Sequence, residues 1–264
     1  MLEGLFGRVG SVKHLAFIPY LMAGDPDIPT TALLLDELTQ GGAAAIELGI
    51  PYGDPLADGP TIAAAGARAL ARGIRIDDVL AIAREATMRS CAPIVLFSYF
   101  NPIYQYGIER FAQAAAAAGV AGVIVPDVAL EETGALRTAL SKCGLDMPLL
   151  VAPSTPAERA KRIAAAASGF VYVVSRLGVT GANAMQDAEP LRRQVAALRK
   201  ITDKPLAVGF GISGAAQVRA IATFADGFIV GSALIDAYAG AVGAEAARRA
   251  RGFVAKLYRG GGGA

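Results

Sequence analysis

Eight short apolar runs, rich in β-branched and aromatic residues, recur along this chain at Leu15–Leu21, Ala44–Ile50, Pro93–Tyr99, Gly122–Pro126, Pro148–Ala152, Phe170–Ser175, Pro205–Gly209 and Gly227–Val230. Stretches with helical spacing separate them, at Thr30–Thr39, Thr61–Leu70, Asp77–Met88, Ile108–Ala118, Leu130–Ser141, Pro156–Ala166, Ala188–Lys200 and Ala215–Thr223, with a closing helix over Ala244–Tyr258. A strand that is apolar on both faces must be covered on both faces, and a parallel neighbour can be reached only through a crossover. Strands alternating with helices therefore demand a parallel sheet wrapped in helices. Eight such units in 264 residues match a closed (β/α)8 TIM barrel, a single domain over 1–264 whose glycine-rich tail, 260–264, is expected to be disordered. The other arrangement, an open doubly wound sheet, would place a GxGxxG turn after the first strand, where this chain has Ala23-Gly24-Asp25-Pro26. The helix at Asp77–Met88 follows Thr61–Leu70 with no strand between, and reads as an insertion in the second unit.

Composition narrows the functional classes. With 25 Lys+Arg against 23 Asp+Glu, the net charge of +2 gives no field strong enough to attract nucleic acid, and the basic residues near the end read as one face of a solvated helix. A hydrophobic content of 54% supplies a large core. The longest apolar stretch, Ala114 to Val125, is too short for a membrane span and is broken by Gly119 and Gly122. The opening residues lack an export signal. Cys91 and Cys143 lie in different segments with no CxxC spacing and no histidine cluster, so neither a disulfide framework nor a metal site is expected, and a cytoplasmic location fits.

Within Ala44–Ile50 one residue is out of character. Glu47 stands between Ile46 and Leu48, and a buried carboxylate costs several kcal/mol unless it is paired or used. The loop that follows carries Asp54 and Asp58 among Gly and Pro residues, and two carboxylates on one strand-loop unit can converge on a cleft in different protonation states. In a barrel the active site lies at the C-terminal ends of the strands, where Glu47, Asp58, Tyr99, Asp127, Tyr172 and Gly209–Gly211 all fall. The last two units end in Gly209-Phe210-Gly211-Ile212-Ser213 and Val230-Gly231-Ser232-Ala233, turns in which small residues let backbone N–H groups approach a phosphate. Neither turn holds Lys or Arg, so amide dipoles would carry the anion. Gly178-Val179-Thr180-Gly181 is a third flexible segment, able to move as a lid.

Taken in order and spacing, ELGIPYGDPLADGPTI, FSYFNPIYQYG, VPDVALEE, APSTPAERAKRIA, GFVYVVSRLGVTGA and GFGIS followed by VGSA resemble the tryptophan synthase alpha chain family, from about Phe17 to Ala239. The resemblance implies a (β/α)8 barrel that cleaves indole-3-glycerol phosphate to indole and glyceraldehyde 3-phosphate by a retro-aldol step, with no metal or organic cofactor. By the same resemblance Glu47 is the acid/base, and Asp58 is the carboxylate that accepts the indole N–H. Tyr20, Phe97, Tyr99 and Tyr172 line the indole pocket, Gly181, Phe210, Gly211, Gly231 and Ser232 surround the phosphate, and Thr180 meets Asp58 as the lid closes. The implied partner is a pyridoxal-phosphate-dependent beta chain in an alpha2beta2 heterotetramer, met by Asp54, Pro55, Asn101, Pro102 and Tyr104. The chain departs from the family pattern at Ala129, where a proline is common, and at Ala63, where a glutamine often stands. Three other readings remain open to test: a stand-alone indole-3-glycerol phosphate lyase, a catalytically weak activating subunit for a beta chain, and a magnesium-dependent transferase barrel resembling thiamine phosphate synthases.

Overall fold

A computed structural model of the protein describes residues 2–6, 15–175, 188–209 and 211–258. Thr180, Gly181 and Phe210, and the tail expected to be disordered, lie outside the described residues.

Eight strands form one parallel sheet among the described residues: β1 (Ala16–Met22), β2 (Ile46–Gly49), β3 (Ile94–Phe97), β4 (Gly122–Ile124), β5 (Leu149–Val151), β6 (Val171–Val174), β7 (Leu206–Gly209) and β8 (Gly227–Val230). Their order is β4-β3-β2-β1-β8-β7-β6-β5. The ring closes between β4 and β5 through a parallel bridge of Gly122 with Asp146, flanked by Val123 N to Asp146 O at 2.9 Å and Asp146 N to Ala121 O at 3.1 Å. The TIM barrel expected from the alternation is therefore present. All seven residues of β1 are buried, as a strand covered on both faces requires.

The helices are α1 (Ile28–Gln40), α2 (Pro60–Ala71), α3 (Ile76–Met88), α4 (Phe100–Tyr106), α5 (Ile108–Ala117), α6 (Gly134–Lys142), α7 (Ala157–Ala166), α8 (Glu189–Arg199), α9 (Ala215–Ala222), α10 (Ser232–Tyr238) and α11 (Gly243–Tyr258). Local chemistry starts them where they start. Asp27 caps α1 by accepting the Thr30 N–H at 2.7 Å, with Pro29 in the first turn, and Pro60 opens α2 directly after Gly59. The inserted helix is α3, which follows α2 without a strand, as its sequence implied.

Two helices, α4 and α10, were not anticipated. The single helix expected over Leu130–Ser141 is instead a 3-10 turn, Leu130–Glu132, and then α6. The fully buried Thr133 separates them, its hydroxyl donating to the Leu130 carbonyl at 2.7 Å. No helix among the described residues is long and apolar enough to cross a membrane.

Candidate active site

Register decides which side chains meet inside the ring. Tyr20 pairs with Glu47 across β1 and β2, Glu47 with Val95 across β2 and β3, and Gly49 with Phe97 one pleat further on. Residues paired in this way share a face, and the face here is the barrel interior. At the C-terminal mouth Tyr20, Glu47, Asp58, Ile62, Phe97, Tyr172, Ile229, Gly231 and Ser232 line one cavity. The sequence placed seven of these at the site; Ile62 and Ile229 are added by the structure. Ile62 was visible within the Gly-Pro-Thr-Ile turn, but an isoleucine in the first turn of a helix reads as core.

Glu47 is 1% exposed, and its Oε1 has no hydrogen-bond partner. No counter-ion among the described residues offsets the lost hydration, and burial pushes its carboxyl up to about 8. Asp58 hangs from the turn between β2 and α2, its N–H bonded to Pro55 O at 3.0 Å. It rises less, to about 6: burial lifts it, while a hydrogen bond from Tyr99 holds it down. Near pH 7 one carboxyl is thus protonated and its neighbour ionised.

Tyr99 supports this pair and is not itself among the cavity-lining side chains. Its hydroxyl accepts the Ala57 N–H at 2.9 Å and reaches Asp58, so it pins the turn that carries the carboxylate. Its ring lies 5.3 Å from that of Tyr52.

Two tyrosines enter the cavity over glycines. A Cβ on Gly49 would lie 2.2 Å from the Tyr20 hydroxyl, and one on Gly209 would lie 2.4 Å from the Tyr172 hydroxyl. In each case the tyrosine on one strand occupies the space above a glycine at the end of the next. The Tyr20 ring also meets Phe97 edge-on at 5.7 Å. Both phenols are pushed well above their ordinary value, chiefly by burial and then by the nearby carboxylates, so both are neutral donors.

On the opposite rim Gly231 and Ser232 precede and begin α10, and Gly211, with φ +81°, opens the turn into α9. The residues expected to face a partner lie outside the cavity. Asp54 and Asn101 are exposed, Pro55 and Pro102 are half-buried, and Tyr104 is 62% exposed on α4. Leu56, beside Asp54 and Pro55, is 78% exposed. Among the described residues no group of three or more His, Cys, Asp or Glu side chains is placed to hold a metal ion.

The sequence model of the tryptophan synthase alpha chain family matches residues 6–258. The chain is 50% identical over 232 residues to the tryptophan synthase alpha chain of Gloeobacter violaceus, covering 88% of this chain and 84% of that one. It is 48% identical over 253 residues to the alpha chain of a Picosynechococcus species, covering 96% of each. Among solved structures, tryptophan synthase of Mycobacterium tuberculosis superposes with a TM-score of 0.84 at 39% identity, over 92% of this chain and 91% of that one.

Proposed function

The chain belongs to the tryptophan synthase alpha chain family, and we propose that as one (β/α)8 domain it cleaves indole-3-glycerol phosphate to indole and glyceraldehyde 3-phosphate in the cytoplasm. The observation that carries this reading is a buried Glu47 with no counter-ion among the described residues, sharing one aromatic-lined cavity with Asp58.

Indole leaves a carbon-carbon bond only if the electrons of that bond can be received. Protonated Glu47 delivers its proton to the indole ring carbon, which makes the ring an electron sink. Asp58 accepts the ring N–H and offsets the positive charge that develops there. The carbon-carbon bond then breaks toward the ring, indole leaves, and the glycerol hydroxyl becomes the aldehyde of glyceraldehyde 3-phosphate. Its proton passes to the Glu47 carboxylate, which restores the starting state, so no proton is gained or lost and the two products hold all the atoms of the substrate.

Tyr20, Phe97 and Tyr172 clasp the flat ring, with Tyr99 holding the turn beneath Asp58. Gly211, Gly231 and Ser232 hold the phosphate, together with Gly181 and Phe210, and Thr180 belongs to the lid. Indole passes to a beta chain, with Asp54, Pro55, Asn101, Pro102 and Tyr104 as the docking face. The exposed Leu56 and Tyr104 favour this over a stand-alone lyase, because apolar side chains left in water suit a surface that another protein covers.

The test is indole release by the purified chain with and without a beta chain. Glu47→Gln and Asp58→Asn are each expected to lower turnover by orders of magnitude, about 10²-fold or more, while circular dichroism stays unchanged. Near-normal release by either variant removes its residue from the chemistry, and failure of the parent chain to release indole beside a saturating beta chain points to the activating-subunit reading.

A further inference from the structure

Gln217 stands in the first turn of α9 with only 9% of its surface exposed. Its carboxamide spans the turn that joins β7 to α9. The Oε1 atom accepts from Ser213 N at 2.8 Å, Gly214 N at 3.2 Å and Ser213 Oγ at 3.3 Å, while Nε2 donates to Gly211 O at 3.0 Å. Two amide donors on one side and a carbonyl on the other fix which end of the carboxamide is oxygen.

These bonds divide the turn's polar groups. The Ser213 and Gly214 amides are committed to Gln217, which takes Ser213 out of the amides expected to approach a phosphate and leaves Gly211 and Ile212 among the candidates after β7. A trans peptide is planar, with its C=O and N–H pointing opposite ways. With the Gly211 carbonyl held on Gln217, the Ile212 N–H is turned away from it. Gly211 itself keeps φ +81°, and a Cβ there would meet nothing within 4 Å among the described residues beyond its chain neighbours. No Lys or Arg stands in either glycine turn, so an anion bound here depends on amides already aimed before it arrives.

We infer that Gln217 is a positioning residue for phosphate recognition, locking the Gly211–Gly214 turn so that the Gly211 and Ile212 amides face the phosphate of the substrate. This rests on the phosphate site of the function proposed above. A residue that merely starts α9 would affect every substrate alike, whereas one that aims amides at phosphate affects only ligands that carry it.

The experiment compares parent chain and Gln217→Met, each with a beta chain, on indole-3-glycerol phosphate and on the dephosphorylated indoleglycerol, and titrates each with glycerol 3-phosphate by calorimetry. The expected result is a KM for the phosphorylated substrate raised at least about tenfold with kcat within a few-fold, weaker glycerol 3-phosphate binding by a similar factor, and unchanged kcat/KM on indoleglycerol. Equal losses on both substrates, or unaltered glycerol 3-phosphate affinity, overturn the inference. Should Gln217→Met fail to fold, Gln217→Asn serves: one methylene shorter, it cannot span Ser213 and Gly211 together, it brings no charge near the phosphate, and it is expected to show the same phosphate-selective loss. Calorimetry needs no cleavage, so a parent chain that releases no indole yet binds glycerol 3-phosphate more tightly than the variant defeats the proposed reaction while supporting the role of Gln217.

Discussion

Glu47 and Asp58 differ in charge near neutral pH because burial acts on both, and among the described residues only Asp58 has a partner that favours its ionised form. With carboxyls at about 8 and about 6, kcat/KM for indole-3-glycerol phosphate is expected to rise as pH climbs through about 6 and to fall through about 8. A pH-rate profile of the isolated chain reads these limbs as values of the pair, and a profile flat from pH 5 to about 9 contradicts the assignment. The same burial has a cost in stability. Between the ordinary 4.5 and about 8 the folded chain holds a proton on Glu47 that the unfolded chain has lost, so this group's contribution falls as pH rises, by about 1.4 kcal/mol per pH unit. Glu47→Gln, neutral in both states, is therefore expected to gain on the parent from pH 5 to 8 in urea midpoint, with the gap closing toward pH 4. The carboxylates were legible in the sequence because charge inside an apolar strand is conspicuous. Gln217 was not, since a glutamine in the first turn of a helix reads as a solvated residue until its partners are seen.

The strands and most helices follow from patterns that survive folding. A strand covered on both faces is apolar throughout, and all eight runs proved to be strands. What escaped notice was short or interrupted. Helix α4 begins with Phe100-Asn101-Pro102, which reads as a turn, and α10 begins at Ser232, within a stretch read only as a phosphate loop. The break at Thr133 depends on a side-chain bond to Leu130 that competes with helix continuation, and spacing does not reveal it. The seating of Tyr20 over Gly49 and of Tyr172 over Gly209 was equally hidden, because it depends on how adjacent strands are staggered. Gly209→Ala tests that fit. Its Cβ would stand 2.4 Å from the Tyr172 hydroxyl, so the ring must tilt into the cavity. The expected outcome is a raised KM for the phosphorylated substrate and a loss of about 1–3 kcal/mol in stability, read by steady-state kinetics and thermal melting.

The barrel gathers residues far apart in sequence onto one mouth, with the carboxylates on the β2 side and the glycine turns on the β7 and β8 side. The proposed partner face lies outside that ring, on the connection after β2 and on α4. Tyr104→Ala is expected to weaken beta-chain binding about tenfold or more, measured by calorimetry, with the melting temperature unchanged because the side chain is 62% exposed. The short span leaving β2 has two masters. Leu56, turned to the outside, and Asp58, turned to the cavity, are separated by Ala57, whose N–H is tethered to the Tyr99 hydroxyl, and Tyr99 immediately precedes the helix bearing Tyr104. A protein that seats on Leu56 and Tyr104 therefore grips the stem from which Asp58 is hung. Thermodynamic reciprocity then requires that whatever factor docking adds to substrate affinity, substrate adds to docking.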